Sequence, residues 1–196
     1  MSRCPYSQAL DAGALLLVPT ETVWGVAARA RHSAAIDKLY AAKGRDFNKP
    51  LALCIDSLEQ AQSFGVFSPR AIRLAQRHWP GPLTLIVPAR PKAIETFDPR
   101  AFGQLGGQKT IAFRCPDTPW RAQLCTCPLV LTSANKSGEP DALTEKHARA
   151  ALPRIDAYSR AQTLSGKPST IISCIGEQVS ILRQGELKID MDALND

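Results

Sequence analysis

Short apolar runs alternate along this chain with segments whose apolar residues recur at helical spacing. Runs of strand length that are mostly apolar occupy residues 14–18, 51–55, 83–87, 110–114, 129–131, 170–174 and 179–182. Runs with so little polar alternation are typical of strands buried on both faces of a sheet. We therefore predict an α/β fold, a sheet with helices packed beside it. The last two runs lie too close together for a helical crossover, so parallel and antiparallel pairings are expected to mix.

Capping residues and glycines mark where the predicted helices begin and end. Residues suited to helix starts occur at Ser33, Asp56-Ser57, Ser68-Pro69, Thr118 and Thr144. The helix after Ser33 is expected to end at Gly44, because glycine readily adopts the left-handed conformation that closes a helix. Residues 88–109 contain Gly103, Gly106 and Gly107 and show no clear periodicity, so a flexible loop is expected there.

Composition and charge indicate a folded protein with an anionic partner. The 196 residues are 44% hydrophobic and 21% charged, which fits one globular domain spanning 1–196. The formal net charge of +6 favours a nucleotide, RNA or phosphate as the partner. Part of the basic excess lies in Arg29, Arg31, Lys38, Lys43, Arg45 and Lys49. The C-terminal end is mildly acidic, with Glu186, Asp190, Asp192 and Asp196.

Membrane, secreted and zinc-binding proteins are disfavoured. No apolar run approaches the roughly 18 residues of a membrane span, and the first residues lack a signal-peptide pattern, so a cytoplasmic protein is expected. The cysteines form no CxxC pair and the histidines are scattered, so no zinc site is expected. Cys54, Cys115 and Cys174 are expected to be buried free thiols. No catalytic or redox role is expected for Cys125 and Cys127.

The candidate functional residues lie where predicted strands or helices end. Lys43-Gly44-Arg45 and Lys49 place three cations within seven residues, and Ser133-Ala134-Asn135 follows a predicted strand about 90 residues later. Lysine and arginine place charge and donors on anionic oxygens, and hydroxyls at strand ends also hold phosphate or carboxylate. Ligands gather at strand ends in open α/β sheets, so these segments are expected to meet. Taken alone, each is more typical of a solvated loop or a turn.

Common nucleotide-binding and hydrolase motifs are absent from the chain. There is no GxxxxGK[ST] P-loop, no GxGxxG after the first strand and no GxSxG nucleophile elbow. The glycines between 103 and 107 have the wrong spacing and context for a dinucleotide fingerprint. The three scattered histidines suggest no Ser-His-Asp arrangement.

Seven segments, in order along nearly the whole chain, form a joint pattern far more specific than any one of them. They are VPTETVWG at 18–25, KGR at 43–45 with KPL at 49–51, WPGPLT at 79–84, TIAFR at 110–114, TSANKSG at 132–138, STII at 169–172 and LRQG at 182–185. This pattern resembles the YrdC-type threonylcarbamoyl-AMP synthase family. The resemblance implies an open twisted mixed α/β sheet with flanking helices and a basic concave face. It also implies the short, single-domain form, since the chain ends at Asp196.

The resemblance implies an enzyme, a nucleotidyltransferase that converts L-threonine, bicarbonate (or CO₂) and ATP into L-threonylcarbamoyl-adenylate and pyrophosphate. The product would feed the threonylcarbamoyl modification of the adenosine next to the anticodon in tRNA. Expected partners are therefore tRNA and other proteins of that pathway, with no membrane. Mg²⁺ is expected to accompany ATP, without a metal ligand from the protein side chains.

The resemblance also assigns residues to two parts of the site. The ATP-binding residues would be Lys43, Arg45, Lys49, Thr110, Ser133, Asn135 and Arg183, and the threonine-binding residues would be Thr22, Arg114 and Ser169. Lys43 and Arg45 would face the phosphates and stabilise the charge of the transition state. Arg114 would hold the threonine carboxylate. No side chain is expected to act as a covalent nucleophile.

The chain departs from the family pattern at a few positions. Trp24 stands where Tyr or Phe is usual, and its larger ring is expected to reshape the threonine pocket. Asp46 replaces the usual Pro and brings negative charge near the phosphates. Ser173 stands where many members carry Asp, and Lys49 falls where some relatives have a neutral residue.

Two other functions fit parts of the sequence. An RNA-binding module for tRNA or duplex would explain the positive charge, although only 6% of the residues are aromatic and few could stack on bases. A carbamoyl-transfer domain of the hydrogenase-maturation type would normally sit inside a much longer chain.

Overall fold

The computed structural model describes residues 4–158, 162–176 and 179–189. The strands within these ranges are β1 (Leu16–Pro19), β2 (Trp24–Arg29), β3 (Ala52–Cys54), β4 (Leu83–Pro88), β5 (Phe102–Leu105), β6 (Gln108–Arg114), β7 (Leu129–Ser133), β8 (Asp156–Ala157), β9 (Thr170–Ser173) and β10 (Ser180–Arg183). The helices are α1 (Pro5–Asp11), α2 (Ser33–Lys43), α3 (Leu58–Gln62), α4 (Pro69–His78), α5 (Pro91–Thr96), α6 (Arg121–Leu124) and α7 (Glu145–Ala151), with a 3₁₀ turn at Pro99–Ala101.

All of the described strands belong to one mixed sheet. Their order is β10-β9-β4-β6-β3-β7-β2-β1-β8, and β5 pairs with β6 as a hairpin. The pairs β3–β6, β4–β9 and β1–β8 are parallel, and the other pairs are antiparallel. This confirms the predicted open mixed sheet. β9 and β10 pair antiparallel, as the short link between their apolar runs predicted.

The two faces of the sheet have different coverings, because side chains alternate along each strand. On β2, Trp24 and Val26 belong to the larger apolar core, to which α2 and α4 also contribute buried residues. Gly25 and Ala27 point the other way, and Ala27 joins a smaller core with residues of α1 and α6. Leu131 belongs to this smaller core and also lines a cavity next to it. The cavity therefore shares its sheet face with the smaller core.

Several predicted helix boundaries are confirmed. Ser57, Ser68 and Thr144 are N-caps whose hydroxyls accept a backbone N–H bond in the first turn of α3, α4 and α7. Gly44 ends α2 in the left-handed conformation, with φ of 59°. The cap of α2 lies one residue earlier than predicted, because the ring of His32 accepts the bond.

Other local expectations were wrong. No strand was predicted at 24–29, where glycine and alanine weaken the β propensity of β2. The expected loop at 88–109 contains α5, β5 and the start of β6, and Gly106 and Gly107 form the hairpin turn with positive φ angles. Thr118 is not a cap: Trp120 occupies the N-cap position of α6, and the buried Thr118 hydroxyl has no partner among the described residues.

Arg29, which belongs to the basic stretch in the sequence, is a buried structural residue. Its side chain is 2% exposed. Its guanidinium donates to Asp11 Oδ1 at 2.7 Å, Ser7 Oγ at 2.7 Å and the carbonyl oxygens of Leu124 at 2.7 Å and Cys127 at 2.9 Å. These bonds tie the end of β2 to α1 and to the chain around α6. Arg29 is therefore not available to a ligand, although it belongs to the basic stretch.

The predicted burial of Cys54, Cys115 and Cys174 is confirmed, and all three are free thiols. Burial raises the pKa of Cys115 to about 11 and that of Cys174 to about 12. Both side chains therefore carry little reactive thiolate near neutral pH. None of the helices in the described ranges has the length and apolarity to cross a membrane. The acidic residues Asp190, Asp192 and Asp196 lie outside the described residues.

Replacing Arg29 with glutamine should lower the free energy of unfolding by about 3 kcal/mol, because the buried oxygens of Ser7, Leu124 and Cys127 lose their charged donor. Arg31→Gln is the matched control: Arg31 is exposed, so its loss should cost less than about 0.5 kcal/mol. Urea unfolding followed by circular dichroism measures both. Equal unfolding midpoints for the two variants would contradict the structural role of Arg29.

Candidate functional site: a cationic cleft on the sheet

A cleft with a volume of about 240 Å³ lies on the sheet face that carries the smaller core. Its lining residues are Thr20, Val23, Gly25, Arg45, Pro50, Leu51, Ala52, Thr84, Arg114, Leu131, Thr132, Ser133, Asp141, Pro168, Ser169, Ile171 and Arg183. Segments that are far apart in the sequence, among them those around Arg45 and Ser133, therefore share one cavity.

The register of the sheet explains why these side chains meet. It pairs cleft residues across neighbouring strands: Gly25 with Ser133, Ala52 with Leu131, Thr84 with Arg114 and Ile171, and Ile171 with Arg183. Directly paired residues point to the same face, so this row of pairs faces the cleft. A Cβ atom at Gly25 would lie 2.7 Å from Leu131 Cδ1, so a larger residue there would have to displace the Leu131 side chain.

Three arginines bring positive charge to the cleft. Arg45 lies in the loop after α2, Arg114 ends β6 and Arg183 ends β10. Each guanidinium group is held by oxygen atoms of the chain, so its direction is fixed before a ligand binds. Guanidinium groups arranged in this way suit the planar oxygens of carboxylates and phosphates.

Arg114 is held by the loop after β1. Its Nη2 donates to Thr22 Oγ1 at 2.6 Å, Glu21 Oε1 at 3.0 Å and Thr20 Oγ1 at 3.4 Å. Among the described residues, Nη1 has no hydrogen-bond partner and is available to an anionic ligand. Thr22 is fully buried and does not line the cleft, but its hydroxyl contacts two residues that do, Arg114 and Thr20.

Arg183 is held by Ser169. Its Nη2 donates to the Ser169 carbonyl oxygen at 2.7 Å and to the hydroxyl at 3.2 Å, and that hydroxyl lies 2.8 Å from Thr84 Oγ1. Desolvation lowers the pKa of Arg183, Asp141 opposes this shift and Arg114 adds to it. The site therefore holds positive charge that lacks full solvation, and a bound anion would compensate for that loss.

Arg45 is held by the chain that follows it. Its Nε donates to the carbonyl oxygen of Lys49 at 3.2 Å and its Nη2 to that of Pro50 at 2.9 Å. The Tyr40 hydroxyl donates to the same Lys49 carbonyl oxygen at 2.8 Å. The side chain of Lys49 is exposed and does not line the cleft, so only its backbone takes part in this arrangement.

Lys43 lies behind the cleft wall, not on its surface. It is 2% exposed, and its Nζ donates to the carbonyl oxygens of Ser133 at 2.5 Å and Asn135 at 2.6 Å and to Asn135 Oδ1 at 3.3 Å. Burial, and then repulsion from Arg45, lower the pKa of Lys43 to about 8, while Asp141 raises it. In this position Lys43 does not line the cleft in which the phosphates are expected.

The segment held by Lys43 is closed by its own side chains. Ser133 Oγ donates to Asn135 Oδ1 at 2.6 Å, and Asn135 Nδ2 donates to the Glu139 carbonyl oxygen at 2.5 Å. Ser133 lines the cleft, whereas the buried Asn135 does not. Asn135 therefore shapes the loop that presents Ser133.

The structure separates the ten predicted site residues into three groups. Those that line the cleft are Arg45, Arg114, Ser133, Ser169 and Arg183. Those that contact these lining residues from behind are Thr22, Lys43 and Asn135. Thr110 lies on the cleft face of β6, four residues before Arg114, but neither Thr110 nor the Lys49 side chain lines the cleft.

Four polar residues that line the cleft were not among the predicted site residues: Thr20, Thr84, Thr132 and Asp141. Thr132 directly precedes the predicted Ser133. Thr20 precedes Thr22 in the first motif, and its Oγ1 donates to the Val23 carbonyl oxygen at 2.7 Å. Thr84 ends the WPGPLT segment and pairs with Arg114. Both could have been found from their motifs. Asp141 carries no local signal, because a single Asp after a turn is typical of surface loops.

The departures from the family pattern do not lie in the cleft. Trp24 packs into the larger core on the opposite face of β2 and does not line the cleft, so any effect of its larger ring on the threonine pocket would be indirect. Asp46 is exposed, and its Oδ1 accepts from the backbone N–H of Asn48 at 2.9 Å. Ser173 is buried in β9 and does not line the cleft.

Comparison with known proteins gives consistent similarities. The Sua5/YciO/YrdC family model, described as "Telomere recombination", matches residues 8–185. A Bacillus subtilis protein named threonylcarbamoyl-AMP synthase is 36% identical over 173 residues, covering 85% of the chain and 48% of that protein. A Chromohalobacter salexigens protein of the same name is 40% identical over 170 residues, covering 83% and 87%. The structure of Pyrococcus abyssi Sua5 complexed with L-threonine is 32% identical with a TM-score of 0.80, covering 92% and 53%.

The relatives differ in length. The chain spans about half of the B. subtilis and P. abyssi proteins and most of the C. salexigens protein. The similarity to the two longer proteins therefore concerns one part of each.

The buried position of Lys43 predicts a pH-dependent stability. Its pKa is about 8 in the fold, below the usual 10.5 of lysine, so the unfolded chain binds more protons than the folded one between these two pH values. The Lys43 contribution to the free energy of unfolding should rise with pH across this window. Urea unfolding of the wild type and of Lys43→Met at several pH values gives this contribution as the difference between their free energies of unfolding. A difference that stays constant from pH 8 to 10.5 would contradict the lowered pKa.

Proposed function

The chain belongs to the Sua5/YciO/YrdC family, and on that premise we propose that it is an L-threonylcarbamoyladenylate synthase. The nucleotidyl transfer would convert L-threonine, bicarbonate (or CO₂) and ATP into the adenylate and pyrophosphate. Relatives named threonylcarbamoyl-AMP synthase support this reading. The observation that carries it is the cleft, where three guanidinium groups and the Ser133 hydroxyl surround one cavity.

The end of the cleft at Arg114 suits an amino-acid carboxylate. Arg114 Nη2 is held by Thr20, Glu21 and Thr22, which leaves Nη1 for the ligand. The hydroxyls of Thr84 and Ser169 lie beside it and can exchange hydrogen bonds with a polar side chain. L-threonine, which carries both a carboxylate and a hydroxyl, matches this set of donors.

The rest of the charge suits a triphosphate. Arg45, Ser133 and Arg183 would contact phosphate oxygens, since all three line the cleft. Lys43 and Asn135 would act indirectly, by holding the segment that presents Ser133 and by adding positive potential behind it. Lys49 and Thr110 would lie at the edge of the nucleotide site. Lys49 is on an exposed loop, and Thr110 is on β6, four residues before Arg114.

The chemistry needs position and charge more than a reactive side chain. The threonine amino group would add to the carbon of bicarbonate with loss of water, which gives a carbamate. A carbamate oxygen would then attack the α-phosphorus, and the bond to the bridging oxygen of pyrophosphate would break. The guanidinium groups would neutralise the charge that grows on the phosphate oxygens and on the leaving group.

Mg²⁺ fits the cleft only together with a nucleotide. No group of three or more His, Cys, Asp or Glu side chains in the described ranges could hold a metal ion. The cleft does contain one carboxylate, Asp141, beside the residues proposed for the phosphates. Bound there with phosphate oxygens, Mg²⁺ would supply a Lewis acid that offsets phosphate charge.

The wider role follows from the proposed product. L-threonylcarbamoyl-adenylate would be passed on for threonylcarbamoylation of tRNA next to the anticodon, with further proteins of that pathway as partners, in the cytoplasm. The cleft would then have to release an adenylate that is larger than threonine.

Pyrophosphate release from ATP should require both L-threonine and bicarbonate. A coupled pyrophosphate assay with each substrate omitted in turn measures this directly. The same release with and without threonine would refute the proposed synthase. Threonine-dependent release that ignores bicarbonate would refute only the carbamoylation step.

The two ends of the cleft should respond differently to loss of charge. Arg45→Met should lower the rate of pyrophosphate release by roughly 10²-fold, because one cation is lost from the transferring phosphates. Arg114→Met should mainly raise the KM for threonine. Arg31→Met, which removes an exposed arginine, is the matched control and should leave both parameters unchanged. If Arg45→Met and Arg114→Met affected the same parameter, the assignment of the two ends would be wrong.

A further inference from the structure

We propose that Asp141 anchors the divalent cation that accompanies the nucleotide phosphates, as a ligand directly or through one water. This inference rests on the proposed function, since the phosphates complete the metal site. It also departs from the sequence-based expectation that no protein side chain would serve the metal.

The chain fixes the position of Asp141 from both sides. Two residues before it, the Glu139 carbonyl oxygen accepts the bond from Asn135 Nδ2 at 2.5 Å. Directly after it, the Ala142 carbonyl oxygen accepts from the backbone N–H of Trp24 at 2.8 Å. The carboxylate is thus carried by a backbone that is tied to the Lys43-supported loop and to the start of β2. Such support is what a metal ligand needs in order to hold its direction.

Asp141 is the acidic residue among the cleft-lining side chains of the described chain, and its carboxylate is unpaired. No hydrogen bond or ion pair within 4 Å joins it to a described residue, although Arg45, Arg114 and Arg183 line the same cavity. The charge of Asp141 acts through space to raise the pKa of Lys43 and of Arg183. A carboxylate that is close to cations but bonded to none of them remains available to a ligand.

An anionic side chain next to a triphosphate is unfavourable unless a cation lies between them. The carboxylate would repel phosphate oxygens, and this repulsion would oppose the attraction supplied by the arginines. A divalent cation shared by the carboxylate and the phosphates turns this repulsion into attraction. Mg²⁺ is commonly bound through one or two carboxylates together with substrate phosphates and several waters. One carboxylate in an otherwise cationic cleft matches that pattern.

Two other roles for Asp141 lead to different measurements. If it only neutralises Lys43 and Arg183, its removal should strengthen binding of the free nucleotide and of the metal–nucleotide complex by the same factor. If it holds the ammonium group of threonine, its removal should weaken threonine binding whether or not a metal is present. Only a metal anchor makes the effect depend on the cation.

The test compares Asp141→Asn with the wild type by binding of Mn²⁺ and of α,β-methylene-ATP. Mn²⁺ is titrated into protein with bound analogue, and the free ion is followed by electron paramagnetic resonance, with the analogue alone as baseline. Binding of the analogue in EDTA is measured separately by calorimetry. We expect Asp141→Asn to weaken Mn²⁺ binding to the complex by at least about tenfold, while analogue binding in EDTA stays equal or becomes tighter. Asp141→Glu, which keeps the carboxylate, should retain most of the Mn²⁺ affinity.

Glu139→Gln is the matched control. It removes one negative charge two residues before Asp141, and the Glu139 side chain does not line the cleft. It should bind Mn²⁺ as the wild type does. Unchanged Mn²⁺ affinity in Asp141→Asn would overturn the metal role but leave the proposed function intact. Weaker analogue binding in EDTA, or weaker threonine binding alone, would also overturn it. Wild-type protein that binds no analogue in EDTA or with Mn²⁺ would refute the proposed function, and the metal role with it.

Discussion

The buried ammonium group of Lys43 is the interaction on which the candidate site depends. A charge that is removed from water is tolerated only when hydrogen bonds replace its hydration, and three oxygens of Ser133 and Asn135 do so here. The bonds join the last residue of α2 to the end of β7. Gly44 then turns the chain in the left-handed conformation, so Arg45 leaves the same helix end toward the cleft. One helix terminus therefore positions two parts of the cleft wall.

The arginines of the cleft show the same use of chain oxygens. Arg45, Arg114 and Arg183 are each held by carbonyl, hydroxyl or carboxylate oxygens from neighbouring segments. Their mutual repulsion is retained in the fold, because none of these partners places a full counter-charge in the cavity itself; Glu21 pairs with Arg114 from behind. Positive charge that is fixed in direction and incompletely neutralised is a preorganised environment for an anion. It also lowers the stability of the empty fold, which is the usual relation between a binding site and its scaffold.

Local signals in the sequence predicted much of the fold. Apolar runs marked most strands, and Ser57, Ser68 and Thr144 marked helix starts, because caps and short runs act over a few residues. β2 was not predicted, because the burial of both its faces depends on neighbouring strands and helices that are distant in the sequence. The position of Trp24 in the larger core depends on the same neighbours.

The site could be predicted only in part. The family resemblance supplied Arg45, Arg114 and Arg183, whose side chains line the cleft. Nothing in the local sequence distinguishes the buried Lys43 and Arg29 from exposed cations, because their partners lie far away along the chain. Asp141 was not predicted for the same reason, because its proposed role depends on cleft residues that are near it only in the folded structure.

The sheet topology has a consequence for how this protein acquires its binding capacity. The cleft draws on residues from Thr20 to Arg183, and β4 pairs with β9 and β3 with β7 across long stretches of chain. Pairings between strands so far apart in the sequence slow folding, because closing long loops costs chain entropy. A fragment that lacks the segment of Thr20 or that of Arg183 cannot assemble the complete cleft. Loss of ligand binding should therefore accompany cooperative unfolding of the entire sheet and not a local opening. By mass action, a bound nucleotide would then stabilise strands that it never touches.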